Sequence, residues 1–246
     1  MNIFIFDATF EGLLTAIYEA YYNEVKPQAI YSSLIYEPNL IDNPINIETD
    51  LDKFQKVYNA IESKISKKSL QKIYYCYLSE TKESSNLIFS YIRMGFKIGK
   101  DIELHKNNDT VLNIDKLAKR VSLERHRFTG FVRFKEINNI LYSSIEPDFN
   151  IVGLLGNHFK NRLTNEYFII NDAKRNIALV YNKEDYYLTT LDSNMKDLLE
   201  NSYDTGEYSD LWRQYFKSTN IKERANSRLQ KRSMPTRYWK NLTELN

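Results

Sequence analysis

Apolar residues change their spacing several times along the chain. Residues 1–7, MNIFIFD, form a short Ile/Phe run of the length a buried strand takes. In TFEGLLTAIYEAYY, positions 10, 13, 14, 17, 18 and 21 follow helical spacing, with Asp7 or Thr9 placed to cap the helix. Residues 37–50, rich in Pro and Asn, read as a loop with one short extended piece, INIET. From 50 to about 100 the period is helical, and LDKFQKVYNAIESKI, SLQKIYYCYLSE and ESSNLIFSYIRMGFKIG predict three consecutive amphipathic helices. Gly99 is placed to stop the third. Asp115 is the expected cap of a further helix, DKLAKRVSLERHRF, whose stripe is Ile114, Leu117, Ala118, Val121 and Phe128.

After Gly130 the period becomes that of strands. FVRFKEI and ILYSSIE are extended runs joined by Asn138-Asn139, a tight-turn signal. Pro147-Asp148 is expected to open a helix, FNIVGLLGNHFKNRL, and EYFIIND and NIALVYN are again strands, joined through Ala-Lys-Arg. The order strand, strand, helix, strand, strand predicts an α+β fold with a mainly antiparallel sheet, surrounded by N- and C-terminal helices. There is no repeat of fixed period and no low-complexity linker. One domain over 1–246 is therefore expected: 1–128 mostly helical with a first strand, 129–190 sheet-rich, and 191–246 helical and basic.

Composition narrows the function classes. The 246 residues carry a net charge of only +2, so an anion-binding role requires uneven distribution of charge. The chain holds 19 Tyr and 13 Phe, and Tyr has a polar tip that suits binding faces. A single cysteine, Cys76, excludes an intrachain disulfide, and its apolar context predicts a buried helical thiol in a reducing, cytoplasmic compartment. The first residues lack a basic leader, and no apolar run approaches membrane-spanning length. GxxxxGK[ST], GxGxxG, GxSxG and cysteine clusters are all missing, which removes the common nucleotide, serine-hydrolase and iron–sulfur signatures. No cofactor is expected. The three histidines, His105, His126 and His158, have no metal-ligand spacing, so no metal site is expected either.

Residues 124–135, ERHRFTGFVRFK, concentrate positive charge beside phenylalanine rings. As a strand, 131–135 puts Phe131, Arg133 and Lys135 on one face, a cationic surface with a ring fit to stack a base. The bland alternative is a solvated sheet face whose Arg and Lys stems cover apolar area. Glu124 falls on the apolar stripe of the preceding helix and needs a partner. Either it pairs with a sheet arginine, or Arg125, His126 and Arg127 line a pocket. His158 falls on the apolar stripe of its own helix beside Arg162, where a core histidine is the commoner outcome. Asp172, Lys174 and Arg175 read as hairpin chemistry or as a phosphate site. Residues 222–240 carry Lys222, Arg224, Arg228, Lys231, Arg232, Arg237 and Lys240 against Glu223 alone, interleaved with Tyr238 and Trp239. A solvated helix face or a clamp on an acidic patch of the same protein competes with nucleic-acid binding there. Candidate acid–base groups are His126, Glu146, His158 and Asp172.

Seven ordered stretches resemble one bacterial family assigned to DNA repair or DNA metabolism, of undefined mechanism. They are FDATFEGLLTAIYEAYY, LSE at 78–80, YIRMGFKIGKDI, ERHRFTGFVRFKE, SSIEPDFNIVGLLGNHFKNRL, FIINDAKRNIALVYN and WRQYFKSTNIKERANSRLQKRSMPTRYW. The resemblance implies a DNA context and a partner. Family members are typically encoded beside a radical-SAM protein of the DNA-modification or repair kind, and some are fused to a uracil-DNA-glycosylase-like domain. It implies no catalytic residue. Ala8 departs from the family, which tends to have Gly there. Three functions remain open: a nucleic-acid-binding accessory protein, a DNA-processing enzyme using His and carboxylate groups, and a protein-interaction module without DNA contact.

Overall fold

The computed structural model describes residues 1–203, 208–219, 221 and 224–245, so Lys222 and Glu223 lie outside the described residues. The chain is α+β and divides into two compact units, Met1–Ser122 and Leu123–Asn246.

In the first unit, β1 (Asn2–Phe6) is the central strand of a three-stranded sheet. It pairs in parallel with β2 (Ala29–Ser32) on one side and β3 (Asn43–Asn46) on the other. The extended piece of the 37–50 loop therefore starts earlier than INIET and includes Pro44. Pro44 is tolerated because β3 is an edge strand, where a missing N–H costs no ladder bond. Parallel pairing needs a crossover, and α1 (Phe10–Tyr22) supplies it, capped by the Thr9 hydroxyl accepting the Gly12 N–H at 2.9 Å. The three helices that follow are α2 (Leu51–Lys64), α3 (Lys67–Tyr77) and α4 (Ser84–Ile98). Gly99 stops α4 with φ +79, a conformation glycine adopts freely. Cys76 is fully buried on α3, and burial pushes its thiol up to about 12, so it is not a ready nucleophile.

Ala8 has φ +67 at the turn from β1 to α1. An alanine there carries a left-handed penalty of roughly 1–2 kcal/mol, partly offset by the smaller entropy of its unfolded chain. Ala8→Gly is expected to stabilise the protein by about 0.5–1 kcal/mol in urea unfolding. A loss of stability would show that this turn is not strained.

α5 (Asp109–Phe131) is longer than the sequence predicts, and the division between the units falls within it. Its start is set by Asn108, whose Oδ1 accepts the N–H of Thr110 at 2.9 Å and of Val111 at 3.4 Å. Asp115 is therefore interior and pairs with Lys72 at 2.6 Å instead of capping. The far end overruns Gly130, because the Val132 N–H still reaches the Phe128 carbonyl.

The second unit holds a five-stranded sheet in the order of the chain: β4 (Lys135–Ile137), β5 (Ile140–Ile145), β6 (Tyr167–Asp172), β7 (Ile177–Tyr181) and β8 (Tyr186–Thr189). Asn138 and Asn139 turn β4 into β5 with φ +49 and +64. Three of the sheet's four pairings are antiparallel, as expected, but the sheet is mixed, because β5 and β6 run parallel. The reason is α6 (Val152–Arg162), a crossover between them that brings the chain back to the same end. α6 starts later than Pro147-Asp148 because the Glu124 carboxylate takes the N–H groups of Asp148 and Phe149, holding that stretch as a loop. The C-terminal segment contributes α7 (Ser193–Asn201), α8 (Tyr208–Thr219) and α9 (Ser227–Ser233), then a 3-10 turn over Thr236–Asn241.

Candidate nucleic-acid interface

The overrun of α5 relocates the predicted cationic face. Phe131 is the last helical residue, Arg133 sits in a connecting loop and Lys135 opens β4, so the three do not share a sheet face. Arg133 is held by Glu244, with Nη2–Oε1 at 2.6 Å and Nε–Oε2 at 3.1 Å, and it also donates to the Gly130 carbonyl at 2.7 Å. Burial opposes the Glu244 charge, but these bonds outweigh it and hold its carboxyl below the usual glutamate range. Lys135 donates to the carbonyls of Glu200 and Ser202 at 2.9 and 3.0 Å. Both cations therefore serve internal bonds.

The same holds for several other candidates. Asp172 is buried, and its carboxylate accepts from the N–H groups of Lys174 and Arg175 and from the Arg175 guanidinium at 2.9 Å. Burial pushes its carboxyl up, with Arg175 opposing. Arg175 also donates to the carbonyls of Pro147 and Asp148, so its guanidinium serves internal bonds around this hairpin turn. Lys174 reaches the Asp148 carbonyl at 3.5 Å. Arg237 pairs with Asp148 at 2.7 Å, Lys240 pairs with Glu146 at 2.6 Å, and the Trp239 indole donates to the Met234 carbonyl. Arg125 is half-buried with its Nε unpartnered among the described residues.

Glu124 does not pair with a sheet arginine. It is buried and accepts from the amides of Asp148 and Phe149 at 2.9 and 2.8 Å and from the Tyr238 hydroxyl, without a direct ion pair among the described residues. Burial and the bond to Glu124 push the Tyr238 phenol well up. This carboxylate fixes the last turns of α5 against the loop before α6 and the C-terminal 3-10 turn.

Of the three residues expected to line a pocket, His126 and Arg127 do so and Arg125 does not. His126, Arg127, His158, Arg162 and Arg232 converge on an open groove of about 660 Å³. His158 is exposed instead of sitting in the core, because the buried face of α6 is Val152, Leu155, Gly156 and Phe159. Arg162 makes no hydrogen bond or ion pair among the described residues. Neither does the Arg232 side chain, whose backbone carbonyl accepts from Arg127 at 3.3 Å. No described Asp or Glu lines the groove.

Thr129, Gly130 and Arg162 also line a second cleft, of about 600 Å³, so the two share a wall. Its walls are aromatic: Phe134, Phe159, and Trp212 and Tyr215 from α8. The Trp212 and Tyr215 rings are 5.5 Å apart, and the Arg133 guanidinium lies 4.8 Å from the Trp212 ring. Sequence reading missed Trp212 and Tyr215, although Leu211 and Tyr215 at i, i+4 and Trp212 and Tyr215 at i, i+3 marked an apolar helix face.

The acid–base quartet is not assembled. His126 and His158 share the groove, Glu146 lines a different hollow beside Lys135, and Asp172 is buried. Arg224 and Arg228 are exposed and line neither cavity. Among the described residues no group of His, Cys, Asp or Glu is arranged to hold a metal ion, and no helix is long and apolar enough to cross a membrane.

A family model described as a domain of unknown function, DUF4130, matches residues 82–244 of the 246. The chain belongs to the DUF4130 family. No curated protein and no solved structure matches it. Every residue named in the groove and the aromatic cleft lies inside the DUF4130 segment.

Proposed function

We propose that this protein binds DNA in repair or DNA metabolism, in concert with a radical-SAM protein of the kind encoded beside its relatives. The observation that carries the reading is the groove. Arg127, Arg162 and Arg232 converge there with two imidazoles and no described carboxylate, in a chain whose net charge is only +2. Phosphates are the natural occupant of such a surface, since each one neutralised releases counterions. The DNA context comes from the resemblance of the seven stretches, and the adjoining aromatic walls suit bases.

Fluorescence anisotropy with short oligonucleotides across a salt series tests this. Three phosphate contacts predict a log–log salt slope of about −2 to −3. Absence of binding at low salt would remove the DNA reading and turn attention to the radical-SAM neighbour as the direct partner.

A further inference from the structure

The groove and the cleft differ in chemistry, and the difference specifies the form of DNA. We infer that the site takes single-stranded DNA, with one unpaired base seated in the aromatic cleft and its phosphate on Arg162. The inference rests on the DNA-binding reading above and adds the strand form and the position of the base.

Three observations support it. Arg133 lines the cleft, but its charge is neutralised by Glu244, so apart from Arg162 the lining offers rings without a net cation for a phosphate. Tyr215 is 57% exposed and Trp212 37%, with the Arg133 guanidinium lying over the Trp212 ring, so both rings keep exposed surface and Tyr215 is the more open. Such rings are open to stack a base, and stacking accepts any base because each has a π-face. Arg162 is the cation at the junction, lining both cavities and unpaired among the described residues. A phosphate there places its base on the aromatic side and the next phosphates towards Arg127 and Arg232.

A cleft of about 600 Å³ has the size that holds a small ligand or a base, not a helix of paired strands. Bases in a duplex are already stacked and must be extruded to enter such a pocket. A single strand presents them without that cost.

The test uses the full chain with an oligonucleotide carrying 2-aminopurine, as a single strand and as the matched duplex. The single strand is expected to bind about 10-fold more tightly, with a change in 2-aminopurine fluorescence from stacking. Tyr215→Ala is expected to abolish most of that change and to weaken binding about 10-fold, whereas Tyr215→Phe retains both. Circular dichroism establishes that each variant keeps its fold. Equal or tighter binding of the duplex, or a fluorescence change that survives Tyr215→Ala in a folded variant, overturns the inference while leaving salt-dependent DNA binding intact. Failure of both DNA forms to bind overturns the inference together with the DNA reading.

Discussion

Glu124→Ala is expected to lower the unfolding free energy by about 4 kcal/mol, the largest effect of any single substitution considered. Its carboxylate is 4% exposed and satisfies two backbone amides and a buried phenol. Truncation leaves two buried donors, the Phe149 amide and the Tyr238 hydroxyl, and the part-buried Asp148 amide without this partner, at roughly 1–3 kcal/mol for each buried one before relaxation. It also leaves a void beside Tyr238, whose ring packs 4.9 Å from Phe128. Tyr238→Phe removes only one donor and is expected to cost about 1 kcal/mol. The two changes together should fall short of additivity, since they share one bond. Urea unfolding at neutral pH, with the slope unchanged, reads both. A cost below about 1 kcal/mol for Glu124→Ala would mean that water replaces the carboxylate and that the site is more open than its burial indicates.

The buried carboxylate also marks what sequence reasoning can and cannot see. A charge on an apolar stripe signalled that Glu124 needed a partner, but the partners are two amides 24 and 25 residues on and a phenol 114 residues away. No local pattern encodes such separations. Signals that depend on a residue's own backbone were legible: Gly99 ends a helix and Asn138-Asn139 makes the hairpin turn, both with positive φ. Gly130 misled because a helix tolerates an interior glycine when its amide ladder continues, as Val132 to Phe128 does here. That single error moved Phe131, Arg133 and Lys135 off their supposed common face.

The candidate site was legible in part for the same reason. His126, Arg127, His158, Arg162 and Arg232 were named individually, yet nothing local places α6 beside the end of α5 and the basic C-terminal turn. Conversely, Arg133, Lys135 and Arg175 look identical in sequence to free cations. Only tertiary structure shows that Glu244, two carbonyls and Asp172 occupy them. A count of basic residues therefore overstates the charge available to a ligand.

That distinction yields the second large effect. Reversing charge at Arg162 and Arg232 together is expected to weaken binding of a short single strand about 100-fold at low salt, close to 2.7 kcal/mol. Both side chains lack partners among the described residues, so the substitutions should leave stability nearly unchanged. The matched control is the double reversal at Arg224 and Arg228. It makes the same change in net charge, on the basic segment that also carries Arg232, but these residues line neither cavity. With an oligonucleotide of about 8 nucleotides, its effect is expected to stay below about 5-fold. The salt slope separates the two further: it should shrink by about 1.5 in the groove variant, from the loss of two phosphate contacts, and hardly change in the control. Equal losses in both variants would mean that DNA responds to the field of the whole basic segment, and the groove would lose its claim to be the binding site. A loss confined to Arg162 and Arg232 would tie affinity to the groove, where exposed cations and imidazoles adjoin aromatic walls.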